Sequence, residues 1–150
     1  IDKIALKEEL QISPEAKEVL YGICEGDCRK LENVLQSCSV INKNIDKELV
    51  YSMASVAKPK EVKEILEMAL GNNFVTARGK LLDLVLEYGL SGMDVIKQIQ
   101  KEIWNLETDD RKKVEIVEKC GETEFRMSEG SDEFIQLESF LAFVVLVGSR

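Results

Sequence analysis

The chain has 150 residues, 45% of them apolar and 32% charged, with a net charge of −8 and no histidine. That length can bury a sizeable core in one domain or two small ones. Acidic residues outnumber basic ones in both halves, so the chain lacks the Lys/Arg surface that neutralises nucleic-acid phosphates, and little DNA binding is expected of it alone.

Apolar residues recur at helical spacing throughout and no segment alternates as a half-buried strand does, which makes the expected fold class all-α. A first helix is expected over about residues 2–10. Ser13-Pro14-Glu15-Ala16 reads as an N-cap, a proline at the first helical position and the start of a second helix ending near Cys24. Gly26 stops that helix and Asp27 caps a third, whose buried face is Leu31, Val34, Leu35 and Cys38 and which runs to about Val40. After the loop Asn42-Lys43-Asn44, Asp46 caps a short fourth helix ending near Ser55. These four form a small bundle.

Lys58-Pro59 is the expected boundary, because the residue before proline is pushed out of the helical region and the apolar pattern restarts just after it. The two domains are therefore 1–57 and 58–150. Val62, Ile65, Leu66 and Ala69 line the fifth helix, which Gly71-Asn72-Asn73 ends. The sixth presents Phe74, Ala77, Leu81, Leu84, Val85 and Tyr88, and with Leu82 and Leu86 on another side it is expected to be covered on more than one face. Gly89 suits a left-handed helix end, and Ser91 with Asp94 resembles a capping box opening the seventh helix, lined by Val95, Ile99, Ile103 and Leu106. An eighth helix covers about Arg111 to Ser128, with Gly121 as its weak point. The last helix starts at Gly130-Ser131 and is apolar nearly all round, from Phe134 to Leu146. Two readings fit it: the central helix of a monomeric core, or a helix partly covered by another subunit.

The third helix carries an electrostatic conflict. Arg29 and Lys30 fall in its first turn, where the helix dipole disfavours a cation by about 0.3–1 kcal/mol and favours an anion. A phosphate would resolve the conflict. So would screening by Asp27 and Glu25, with both cations facing solvent.

Other chemistry is sparse. Cys24, Cys28, Cys38 and Cys120 show no C-x-x-C spacing, so reduced and mostly buried thiols are expected, with no metal site. There is no G-x-x-x-x-G-K-[ST] loop and no G-x-G-x-x-G. The acidic pairs Glu8-Glu9, Asp109-Asp110 and Asp132-Glu133 fall at expected helix ends, as solvated dipole partners. The longest apolar run, Leu141 to Val147, is too short for a bilayer, and no secretory leader is visible. The chain opens on Ile1 directly into helix-like sequence and reads as a piece of something longer.

Three motifs point one way. Glu25-Gly26-Asp27-Cys28-Arg29-Lys30 with Asn33-Val34-Leu35-Gln36 resembles the EGDxRKxxNxLQ segment in the lid of clamp-loader small subunits, the replication factor C group of AAA+ ATPases. Tyr88-Gly89-Leu90-Ser91-Gly92 with Ile96 and Gln98-Ile99 resembles the YGLSGxDIxxQI junction of their collar domain. Arg126, Ser128-Glu129-Gly130 and Ile135-Gln136-Leu137-Glu138 resemble the R..EG..E.IQLE segment leading into the last collar helix. Their order covers nearly the full chain, and the likeness is to the archaeal small subunit.

The resemblance implies a lid over 1–57 and a five-helix collar over 58–150. It implies that Arg29 is the sensor-2 arginine directed at the γ-phosphate of ATP, with ATP and Mg²⁺ held by a nucleotide domain outside this chain and neither expected on the chain itself. Implied partners are other clamp-loader subunits, including further copies through the collar, and for the whole complex the sliding clamp and primer-template DNA. No membrane partner is implied, and the implied location is cytoplasmic, at the nucleoid, or nuclear if the source is a eukaryote. The fragment alone is expected to be catalytically inert. Family members often carry Met or another aliphatic residue where Cys28 stands, and an aliphatic residue where Glu32 stands. Glu32, one turn from Arg29, could pair with it when no nucleotide is present. Two rival readings are a helical interaction adaptor from an AAA+ relative and an enzyme binding a phosphorylated metabolite through Arg29.

Overall fold

The helix starts follow local chemistry. In the computed structural model, which describes residues 1–150, the Ser13 hydroxyl accepts from the Ala16 N–H at 3.1 Å, with Pro14 at the first helical position. Asp46 accepts from Leu49 at 2.8 Å, Asp109 from Lys112 at 3.0 Å and Asp132 from Ile135 at 2.9 Å. Each cap satisfies a backbone donor that has no partner inside its helix. The chain is all-α, with helices α1 (Asp2–Lys7), α2 (Pro14–Cys24), α3 (Cys28–Ile41), α4 (Lys47–Ala54), α5 (Pro59–Leu70), α6 (Phe74–Tyr88), α7 (Gly92–Glu102), α8 (Asp110–Ser128) and α9 (Glu133–Gly148). They gather into two units, Ile1–Val56 and Ala57–Arg150. No helix is long and apolar enough to cross a membrane.

The first unit buries Leu10, Ala16, Leu20, Val34, Leu35, Cys38, Ile45 and Val50 in one cluster. Two expectations fail here. The first helix stops at Lys7, short of residue 10, because Leu10 has to reach the core. The chain turns through left-handed Glu9 (φ 56°), and the Leu10 N–H closes back on the Ala5 carbonyl at 2.8 Å. Strands also occur, though none is expected from the pattern: β1 (Gln11–Ile12) pairs in parallel with β2 (Asn44–Ile45), Gln11 opposite Asn44 and Ile12 opposite Ile45. The Gln11 N–H donates to the Lys43 carbonyl at 2.9 Å and the Ser13 N–H to the Ile45 carbonyl at 3.0 Å. A two-residue ladder has no alternation to display, and it exists only because the helices bring the two connections side by side.

In the second unit α9 packs against α5, α6, α7 and α8. It buries Leu137, Phe140, Leu141, Val144 and Val147 and is the central helix of that core. Its opposite stripe stays open, with Ile135, Ala142 and Leu146 exposed. The expectation that α6 is covered on more than one face fails within the chain: Leu82 is half-buried, and Val75 and Leu86 are exposed at 79% and 78%. The α7 stripe tightens after Glu102 into a 3-10 turn, Ile103–Asn105, which still buries Ile103 and Leu106. Gly121 does not interrupt α8, since Ile116, Cys120, Thr123 and Met127 bury a continuous face across it.

Candidate functional site

The elbow between α2 and α3 is built from two consecutive left-handed residues, Glu25 (φ 48°) and Gly26 (φ 88°). Glycine at the second avoids a steric penalty that any β-carbon would incur there. The Asp27 N–H donates to the Cys24 carbonyl at 2.8 Å, and Asp27 Oδ1 accepts from the backbone N–H groups of Arg29 at 2.9 Å and Lys30 at 3.1 Å. The elbow is therefore tied on both sides.

The two cations part company. Lys30 Nζ turns back and donates to the Ile23 carbonyl at 3.0 Å, in the last turn of α2. That is the electron-rich end of a helix, where an ammonium is favoured. Arg29 is exposed. Ion pairs in this unit join Lys17 to Asp2, Lys7 to Glu8 and Lys47 to Glu48. Glu32 lies on a groove of about 280 Å³ shared with Ile4, Lys7, Leu10 and Leu35. Asp27 meets two of the N-terminal donors of α3 and Lys30 turns to the end of α2, which leaves Arg29 as the exposed cation of the first turn.

Three of the thiols are buried and Cys28, the first residue of α3, is exposed. Burial pushes the Cys24, Cys38 and Cys120 thiols up, Cys120 to about 12. At Cys24 the nearby Lys30 charge opposes part of that rise. No group of three or more His, Cys, Asp or Glu side chains is arranged to hold a metal ion.

The motif residues of the second unit are architectural. Gly89 takes the left-handed end of α6 (φ 61°), and Ser91 with Asp94 completes a reciprocal capping box. Glu133, expected as a solvated dipole partner, instead accepts from the Gly92 N–H at 2.6 Å, joining α9 to the start of α7. Gln98 Oε1 accepts from the Ala57 N–H at 3.0 Å, and Glu138 pairs with Arg78 Nε at 2.6 Å. Sequence reasoning passed over these three links. Gln98 and Glu138 are among several polar residues in their motifs, so nothing local marked them out.

The outer faces carry what these links leave uncovered. On α6 the open stripe is Val75, Gly79 and Leu86; on α9 it is Ile135, Ala142 and Leu146. On α8, Val114 and Phe125 are exposed at 59% and 61%, with open space around Gly121 between them. No neighbouring helix of the unit covers these positions.

A family model for the replication factor C C-terminal domain matches residues 57–143. That is more than half of the chain. The chain belongs to the replication factor C family. Among its relatives, the replication factor C small subunit of Methanocaldococcus jannaschii is 43% identical over 148 residues, covering 99% of this chain and 8% of that protein. The replication factor C small subunit of Sulfolobus acidocaldarius is 44% identical over 146 residues, 96% of this chain and 45% of that protein. That of Pyrococcus furiosus is 42% identical, over 98% of this chain and 17% of that protein. The chain thus spans less than half the length of the curated relatives it matches. The family-model match lies entirely within the second unit, while the relatives align with both.

Proposed function

We propose that the chain supplies two parts of a clamp-loader small subunit: an ATP-sensing lid through about residue 57, and beyond it a collar that assembles with the collars of other subunits, including further copies of itself. The parent protein is an AAA+ ATPase of DNA replication, working in the cytoplasm at the nucleoid. It holds ATP and Mg²⁺ in a separate nucleotide domain, and its ring places the sliding clamp on primer-template DNA. Relatives that are all replication factor C small subunits favour this reading over a helical adaptor from outside clamp loading.

Arg29 fits the sensing role chemically. A guanidinium presents a planar fork of donors suited to phosphate oxygens, and here no carboxylate occupies it. Bound ATP would supply the triphosphate charge, and Arg29 is the residue of this chain that would hold its γ-phosphate. Coupling between nucleotide state and lid position follows from that contact.

The observation that carries the collar role is the open apolar surface on α6 and α9, outside a core already closed by the unit's own helices. An apolar surface of this kind is stabilised when a partner removes it from water. Sedimentation of the chain at rising concentration is expected to show association, and Leu86→Glu or Leu146→Glu is expected to return it to monomer with unchanged helix content. A clean monomer at high concentration overturns the collar assignment.

A further inference from the structure

We infer that Lys30 is a positioning residue for Arg29: its ammonium fastens the start of α3 to the end of α2, and so sets the direction in which the Arg29 guanidinium leaves the helix. The inference rests on the proposed nucleotide-sensing role of Arg29. It departs from the simplest reading of adjacent cations, in which both would meet the same phosphate.

Three observations support it. Lys30 Nζ reaches back seven residues to the Ile23 carbonyl at 3.0 Å, so its charge is directed away from the open side of the α3 N-terminus. Its backbone N–H shares Asp27 Oδ1 with that of Arg29, at 3.1 and 2.9 Å, so one carboxylate oxygen holds both residues while the Lys30 side chain holds the preceding helix. The same ammonium also acts on Cys24, the last residue of α2, where its charge opposes part of the rise that burial causes in the thiol.

The fastening acts across a left-handed elbow. Its pivot, Glu25 and Gly26, lies in left-handed backbone, and glycine there has several accessible conformations. Backbone links from Glu25 to the Tyr21 carbonyl and from Asp27 to the Cys24 carbonyl hold the main chain of the elbow, and Lys30 adds a side-chain link from α3 back to α2. Arg29 is the second residue of α3, so a small rotation of the helix start swings the end of its long side chain through several ångströms. Lys30 would thus tune nucleotide affinity without touching nucleotide.

The test uses the full-length subunit and measures binding of a fluorescent ATP analogue, with thermal unfolding alongside. Arg29→Ala is expected to lose most of the affinity. Lys30→Met is expected to weaken binding about three- to tenfold, the equivalent of one hydrogen bond in net terms, while its melting temperature stays within about 2 °C of wild type. Lys30→Arg, which keeps a donor able to reach the Ile23 carbonyl, is expected to restore binding. If Arg29→Ala is impaired while Lys30→Met binds like wild type, or if Lys30→Arg fails to rescue, the positioning role is overturned and the sensing role stands. If Arg29→Ala itself binds like wild type, both fall.

Discussion

At the residue scale, the first turn of α3 shows how one carboxylate can settle a conflict between charge and dipole. Asp27 accepts from two backbone donors, which otherwise would be left to water or an anion. Asp27→Ala is expected to destabilise the chain by about 1 kcal/mol, read as a lower urea midpoint with an unchanged slope. Asp27→Asn, which keeps an acceptor oxygen, is expected to recover most of that loss, and equal loss in both variants would mean that the charge matters more than the hydrogen bonds. Position in sequence placed Arg29 and Lys30 together, and local rules went no further. Their separation depends on the left-handed pair Glu25 and Gly26, which brings the end of α2 within reach of a lysine side chain. A lysine three residues past a helix cap that itself follows a glycine turn is the pattern that could have signalled it.

At the element scale, the glycines of the second unit separate close packing from open surface. A β-carbon on Gly148 would sit 2.1 Å from the Leu70 carbonyl oxygen and 2.7 Å from its Cα, so α9 and α5 meet backbone to backbone at that end. Gly121 faces open space in the middle of α8. Gly148→Ala is expected to cost about 1–3 kcal/mol, because a backbone has to move. Gly121→Ala is expected to stabilise the chain by about 0.5–1 kcal/mol through helix propensity alone. Thermal melts of the two variants should shift in opposite directions, and a shift of the same sign would contradict the packing described. Helix starts were legible in the sequence because Ser13, Asp27, Asp46 and Ser91 act on donors two or three residues away. The end of α1 and the β1–β2 ladder were not, since Leu10 and Ile45 take their places from a core assembled by distant helices. The exposed helix start that carries Arg29 was legible from the Asp27 cap and the helical spacing after it. The Glu133–Gly92 and Glu138–Arg78 links were not, because each joins residues at least 41 positions apart.

At the scale of the whole molecule, each unit has its own buried core and its own open surface. The first presents the exposed guanidinium of Arg29 at a helix start together with exposed Leu6, Tyr21, Val40 and Ile41, and the second presents apolar stripes on α6, α8 and α9. On the proposed reading, charge-based sensing and apolar assembly fall to different units. The thiols follow the same division between closed core and open surface. Cys24, Cys38 and Cys120 are buried, while Cys28 is exposed one residue before Arg29. A thiol-alkylating reagent at neutral pH is expected to add rapidly once, at Cys28, with three further additions only after denaturation, as read by intact mass and peptide mapping. Rapid modification of any other cysteine would contradict the burial described. The native chain therefore offers a single attachment point for a fluorophore or spin label, beside the guanidinium, and environmental changes around Arg29 can be followed optically without introducing or removing a cysteine.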